Sequence, residues 1–165
     1  MVLGVTLLIS SSLILFSGTS RRQTALTVEA AKISQFILRA KALAVSTYDQ
    51  ANPPCGYGVR IDYDAGRYSM FSYAPPSCKG IVNIDTDFAD QVPGASSFVV
   101  DRGLVFEENA DSIAEVFFLA PTPKTFISFA VGGDLETNPG KIYLKTSAES
   151  ANIIISVKYA GQVTI

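Results

Sequence analysis

The chain has 165 residues, 48% hydrophobic and 17% charged, and at 17.6 kDa it has material for one folded head and little more. A net charge of −2 and a pI of ≈ 5.1 argue against nucleic acid as a partner, because neutralising phosphates takes a clustered basic face. The chain has no histidine, which excludes Ser–His and Cys–His nucleophile pairs and leaves Asp, Glu, Lys or Tyr as the base, so neither enzymatic activity nor a cofactor is expected.

The mean hydropathy of +0.28 is high for a soluble domain, and the N-terminus supplies the excess. Met1 to Phe16 carries no charge, with the runs Val2 to Ile9 and Leu13 to Phe16. This reads as a membrane segment or a signal sequence. As a helix it would reach roughly 24 Å, short of the ~30 Å hydrocarbon layer. No basic n-region stands in front of it, as a secretory signal requires. Arg21 and Arg22 follow it, and the positive-inside rule would draw that end to the cytoplasm unless a basic leader preceded Met1.

Leu26, Ala30, Ile33, Ile37, Ala40, Ala44 and Tyr48 then recur every 3.5 residues, flanked by Phe36 and Leu43, with Arg22, Glu29, Lys32, Arg39 and Lys41 among the remaining positions. That period predicts an amphipathic helix whose stripe meets the head. Ser20-Arg21-Arg22-Gln23 has capping-box spacing and predicts a kink or restart near Gly18. Asp49, Asn52 and Pro53-Pro54 end the helix. The expected organisation is an apolar helix over 1–18, an amphipathic helix over 19–52 and a β-rich head over 53–165.

From Pro54 onward the period changes to two. Tyr57, Val59, Ile61 and Tyr63 alternate, Asp64-Ala65-Gly66 turns the chain, and Tyr68 and Met70 return as a hairpin. Further strands are expected at Ile81 to Ile84, Ser97 to Val100, Leu104 to Glu107, Glu115 to Leu119, Thr125 to Val131, Lys141 to Lys145, Asn152 to Tyr159 and Val163 to Ile165.

Pro53-Pro54 stands before Cys55 and Pro75-Pro76 before Cys78, a setting that favours a disulfide and an oxidising compartment; closing such a loop contributes on the order of 3 kcal/mol. Two thiolates without histidine are too few for zinc. Asp62 with Asp64 and Glu107 with Glu108 read as solvated turn and strand-end residues. Asp85, Asp87 and Asp90 are a weak calcium candidate, since their loop lacks the glycine and bidentate glutamate of a twelve-residue calcium site. Gly140-Lys141 is followed by Ile142, which fails as a phosphate-binding loop. The cations on the helix read as its polar side, or as charges near a headgroup layer.

An apolar helix running into an amphipathic one, then a β-rich head with one cysteine pair, resembles the type IV pilin and type II secretion pseudopilin family. Glu29 to Ala44, Glu115 to Pro123, and Ile153 to Ile165 with its Gly161 turn are similar to the minor pseudopilins of the H type. The resemblance implies an α+β fold, a long N-terminal helix packed on an antiparallel β-rich head. It also implies that the family's basic leader and glutamate stood in front of Met1.

The function so implied is that of a structural, minor subunit of a type IV pilus or type II secretion-like pseudopilus. Gly4, Leu8, Leu13 and Phe16 would sit in the membrane or filament core, where small and hydroxylated residues allow close helix contact. Leu26, Ile33, Ile37, Ala40, Ala44 and Tyr48 would seat the helix on the head. The implied partners are other pilin or pseudopilin subunits, the inner-membrane assembly machinery, the prepilin peptidase, and membrane lipid before assembly. The implied place is the bacterial cell envelope, with the head outside the cytoplasm. The alternative reading is a membrane-anchored or secreted β-domain that binds a surface ligand without polymerising.

Overall fold

The computed structural model describes residues 2–47, 53–81, 83–84, 86–92, 97–130, 135–148 and 151–165, with helix side chains from Ser20 onward. One helix, α1 (Val2–Ser46), leads into eleven strands. These are β1 (Gly56–Asp62), β2 (Arg67–Tyr73), β3 (Ala89–Gln91), β4 (Phe98–Val99), β5 (Leu104–Glu107), β6 (Ile113–Leu119), β7 (Lys124–Phe129), β8 (Leu135–Glu136), β9 (Gly140–Thr146), β10 (Asn152–Val157) and β11 (Val163–Thr164).

The expected restart near Gly18 does not occur. Ser20 lies inside α1, where its carbonyl accepts a hydrogen bond from Thr24 Oγ1 at 2.9 Å, and Gln23 does the same for Thr27 at 3.1 Å. A single glycine inside a helix costs only about 1 kcal/mol, so neither it nor capping-box spacing breaks α1 here. Tyr48, Asp49 and Asn52 lie outside the described residues.

The strands form two sheets, with all strand pairs antiparallel. The first runs β3-β2-β1-β6-β7-β8, with β4 also paired to β2, and the second runs β11-β10-β9-β5. In the first hairpin Val59 faces Met70 and Ile61 faces Tyr68. Asp62 Oδ1 accepts the Ala65 amide at 2.9 Å, and Gly66 takes the positive φ of 59° that the turn needs.

Alternation splits the first sheet into two buried faces. Tyr57, Val59, Ile61, Tyr68, Met70, Val116, Phe118 and Ile127 join the main core with the helix and the second sheet. Phe71, Tyr73, Phe117 and Cys55 form a smaller cluster behind it. Gly58 sits in β1 between these strands because the Phe71 ring and the Val116 carbonyl occupy the space a Cβ would need.

The expected strand at Ile81 to Ile84 is absent among the described residues: Ile81 and Ile84 cover the smaller cluster from a loop, burying apolar surface without a strand partner. Two short edge strands, β3 and β8, are additional. Val131 lies outside the described residues.

The helix rests against β1, β2 and β6 of the first sheet and β9, β10 and β11 of the second. Its far end is tied to the last hairpin, where Lys41 Nζ donates to the Ala160 carbonyl at 2.8 Å.

Candidate assembly surface

The inner face of α1 is sealed. Leu26 is 3% exposed, and Ala30, Ile33, Ile37, Ala40 and Ala44 are fully buried, with Phe36 beside them. Alanines at 30, 40 and 44 let the helix lie close to the sheets, and the larger side chains between them supply most of the apolar burial, each worth about 1.5–3 kcal/mol.

One inner position is acidic. Glu29, placed by periodicity among the polar residues, is 2% exposed. Its carboxylate accepts the Tyr68 hydroxyl at 3.1 Å through one oxygen and Lys32 Nζ at 2.9 Å through the other. Burial, with the Glu29 charge and hydrogen bond adding to it, pushes the Tyr68 phenol well above its ordinary value. The hydrogen bond and charge of Glu29 also raise Lys32. A buried carboxylate without partners would be costly, so the pairing fixes both Tyr68 and Lys32 in place.

The outer face of α1 is not simply polar. Val28, Leu38 and Val45 are 48%, 47% and 51% exposed. With half-buried Ala31, exposed Gln35 and Ala42 between them they fall at spacings of three and four along one side of the helix, an apolar stripe interrupted by Gln35. Isolated exposed apolar residues are ordinary. Val28, Leu38 and Val45 instead share one side of the helix, away from the buried stripe. Sequence reasoning missed this outer stripe because the stronger inner one dominates the period, although the spacing itself was visible in the chain.

A groove of ≈ 210 Å³ adjoins this stripe, lined by Lys32, Gln35, Phe36, Arg39, Tyr68 and Phe98. Phe36 lies edge-on to Tyr68 and to Phe98, both at 5.4 Å between ring centres, and Tyr68 and Phe98 stack at 5.8 Å. Phe98 remains 45% exposed.

The remaining candidate residues are distributed elsewhere. Cys55 and Cys78 are joined in a disulfide, with Cys55 buried and Cys78 on the surface. Asp87 lies in a 3-10 turn, Thr86–Phe88, and Asp90 in β3; Asp85 lies outside the described residues, among which no group of acidic, Cys or His side chains is arranged to hold a metal. Asp62 pairs with Arg67 and Glu107 with Lys145, each at 3.5 Å. Lys141 pairs with Asp111 at 2.9 Å. The side chains of Gly4, Leu8, Leu13 and Phe16 lie outside the described set. Among the described residues no helix is long and apolar enough to cross a membrane.

Neither protein-family models nor curated protein sequences give a match. Among solved structures, the chain matches the minor pseudopilin EpsH from the Type 2 Secretion System of Vibrio cholerae. The TM-score is 0.54 at 12% identity, over 84% of this chain and 94% of that one. The fold is pilin-like. At that identity the likeness is one of architecture: a single N-terminal helix laid on antiparallel sheets. Within this fold the inner stripe of α1 is buried against the head, while Val28, Leu38, Val45 and the aromatic groove beside them remain exposed.

Proposed function

We propose that this protein is a non-catalytic structural subunit of a type II secretion-like pseudopilus or type IV pilus, a minor subunit of the H type, assembling through α1. The observation that carries the reading is the exposed apolar stripe of Val28, Leu38 and Val45 on a helix whose opposite face is already buried. A helix with two apolar seams has more contacts to make than its own head offers. The pilin-like fold supports the same reading, since its neighbour EpsH is a minor pseudopilin.

In this account residues 1–18 hold the subunit in the inner membrane and later lie in the filament core. Residues 19–52 carry the amphipathic helix into the head, and 53–165 form the head itself. The partners are neighbouring pilin or pseudopilin subunits, the inner-membrane assembly machinery, the prepilin peptidase and, before assembly, membrane lipid. A disulfide between Cys55 and Cys78 suits a head held outside the cytoplasm in the cell envelope.

The test replaces Leu38→Asp and Val45→Asp in the full chain and measures how much subunit enters the sheared filament fraction. Incorporation falls at least about tenfold, the loss expected on removing a central apolar anchor, while circular dichroism and the disulfide are unchanged. Undiminished incorporation of the folded variant would overturn the reading.

A further inference from the structure

We propose that the groove between α1 and β4 binds an acidic segment of another protein, with an aromatic side chain seated on Phe98 and a carboxylate on Arg39. This goes beyond the filament reading and does not depend on it.

The groove is too small for a drug-sized ligand, whose sites run to about 300–1,000 Å³; ≈ 210 Å³ accommodates a side chain. Its floor is a three-ring cluster in which Phe36 and Tyr68 are buried while Phe98 presents its free surface outward. Val99, next in β4, is 71% exposed. An incoming ring can complete the edge-to-face and offset arrangement already begun by the three.

The rim selects the charge. Of its lining side chains, Lys32 and Arg39 are cations. Lys32 is paired with buried Glu29 at 2.9 Å and is also attracted by Asp101, so its charge is largely compensated and the cation left for a ligand is Arg39. Arg39 is exposed and has no ion pair or hydrogen bond among the described residues. A guanidinium beside an aromatic floor is suited to a carboxylate that arrives with an apolar neighbour, because its planar fork donates two parallel hydrogen bonds. Glu29 and Tyr68 act as positioning residues, setting one rim cation and one floor ring with a single buried carboxylate.

The experiment uses the full chain in non-ionic detergent and three labelled pentapeptides read by fluorescence anisotropy: Asp-Phe-Asp-Phe-Asp, Asp-Ala-Asp-Ala-Asp and Lys-Phe-Lys-Phe-Lys. The first is expected to bind at least about fivefold more tightly than the other two. Arg39→Glu weakens it about tenfold and improves the lysine peptide, and Phe98→Ala weakens it without that reversal. Both positions are exposed, so circular dichroism should match the wild type. Equal binding of the phenylalanine and alanine acidic peptides, or affinity indifferent to Arg39→Glu, would overturn the proposal. So would self-association of the chain abolished by Arg39→Glu, which would make a second copy the occupant. Leu38→Asp should leave peptide binding intact, so failure here and failure of the filament reading are separable.

Discussion

Ile37 and Leu38 are adjacent in α1 and similar in size, yet their truncation should have opposite consequences. Ile37 is 0% exposed and Leu38 is 47% exposed. Ile37→Ala removes three buried methyl or methylene groups from the seam between helix and sheets, at about 3 kcal/mol within the 2–5 kcal/mol range of such changes. Alanine's better helix propensity offsets only about 0.4 kcal/mol of this. Leu38→Ala touches no buried contact of the monomer and should stay within about 0.5 kcal/mol of wild type. The chain lacks tryptophan, so urea unfolding is followed by far-ultraviolet circular dichroism. With a slope of about 2 kcal/mol/M, the Ile37→Ala midpoint falls by about 1.5 M and the Leu38→Ala midpoint by less than about 0.3 M. In filament incorporation Leu38→Ala is the one that loses. Equal destabilisation by the two, or an Ile37→Ala cost under about 1 kcal/mol, would refute the assignment of inner and outer seams.

Replacing both Cys55 and Cys78 by alanine opens a loop of sequence separation 23 and should cost about 3 kcal/mol, measured by the same titration. Gly58→Ala drives a Cβ against the Phe71 ring, 2.7 Å from Cε1, and the Val116 carbonyl oxygen at 2.8 Å; an overpacking cost of about 3 kcal/mol should lower the melting temperature by roughly 10 °C. Asp111 is held below the ordinary carboxylate value by its hydrogen bonds from Lys141 and Tyr143. Its stabilisation is therefore present above the unfolded value near 3.8 and is lost as pH falls through the lower folded value. Asp111→Asn should be less stable than wild type at neutral pH, and the gap should close in acid titrations.

The fold class was legible because the hydrophobic period changes from 3.5 to 2 at Pro53-Pro54, and helix and strand impose those periods on any sequence that buries one face. Long strands such as β1, β6 and β9 leave that mark. β3 and β8 do not, since two or three residues at a sheet edge are held by their neighbour's backbone and carry no period of their own. Ile81 and Ile84 misled for the converse reason: they are partly covered by tertiary contact with the cluster around Phe117 and need no strand pairing. Capping-box spacing at Ser20 likewise did not mark a helix start, since α1 runs through it.

The surface was far less legible. Glu29 read as polar-face because charge usually means exposure; its burial is made tolerable by Lys32 one turn on and by Tyr68, 39 residues away. Phe98 looked like one residue of an ordinary strand; its place over Phe36 is set by β4 pairing with β2. Long-range placement of this kind leaves no local signal, whereas the seam of Val28, Leu38 and Val45 did, beneath a stronger one.

The central claim is that the outer face of α1 is occupied by neighbouring subunits. A photo-crosslinking amino acid placed at Leu38 or at Val45, and for comparison at exposed Lys124 on the head, tests it in intact cell envelopes. The account predicts adducts from positions 38 and 45 to pilin-like subunits, depending on filament assembly. Adducts from position 124 alone, with none from α1 in folded, disulfide-bonded protein, would contradict it.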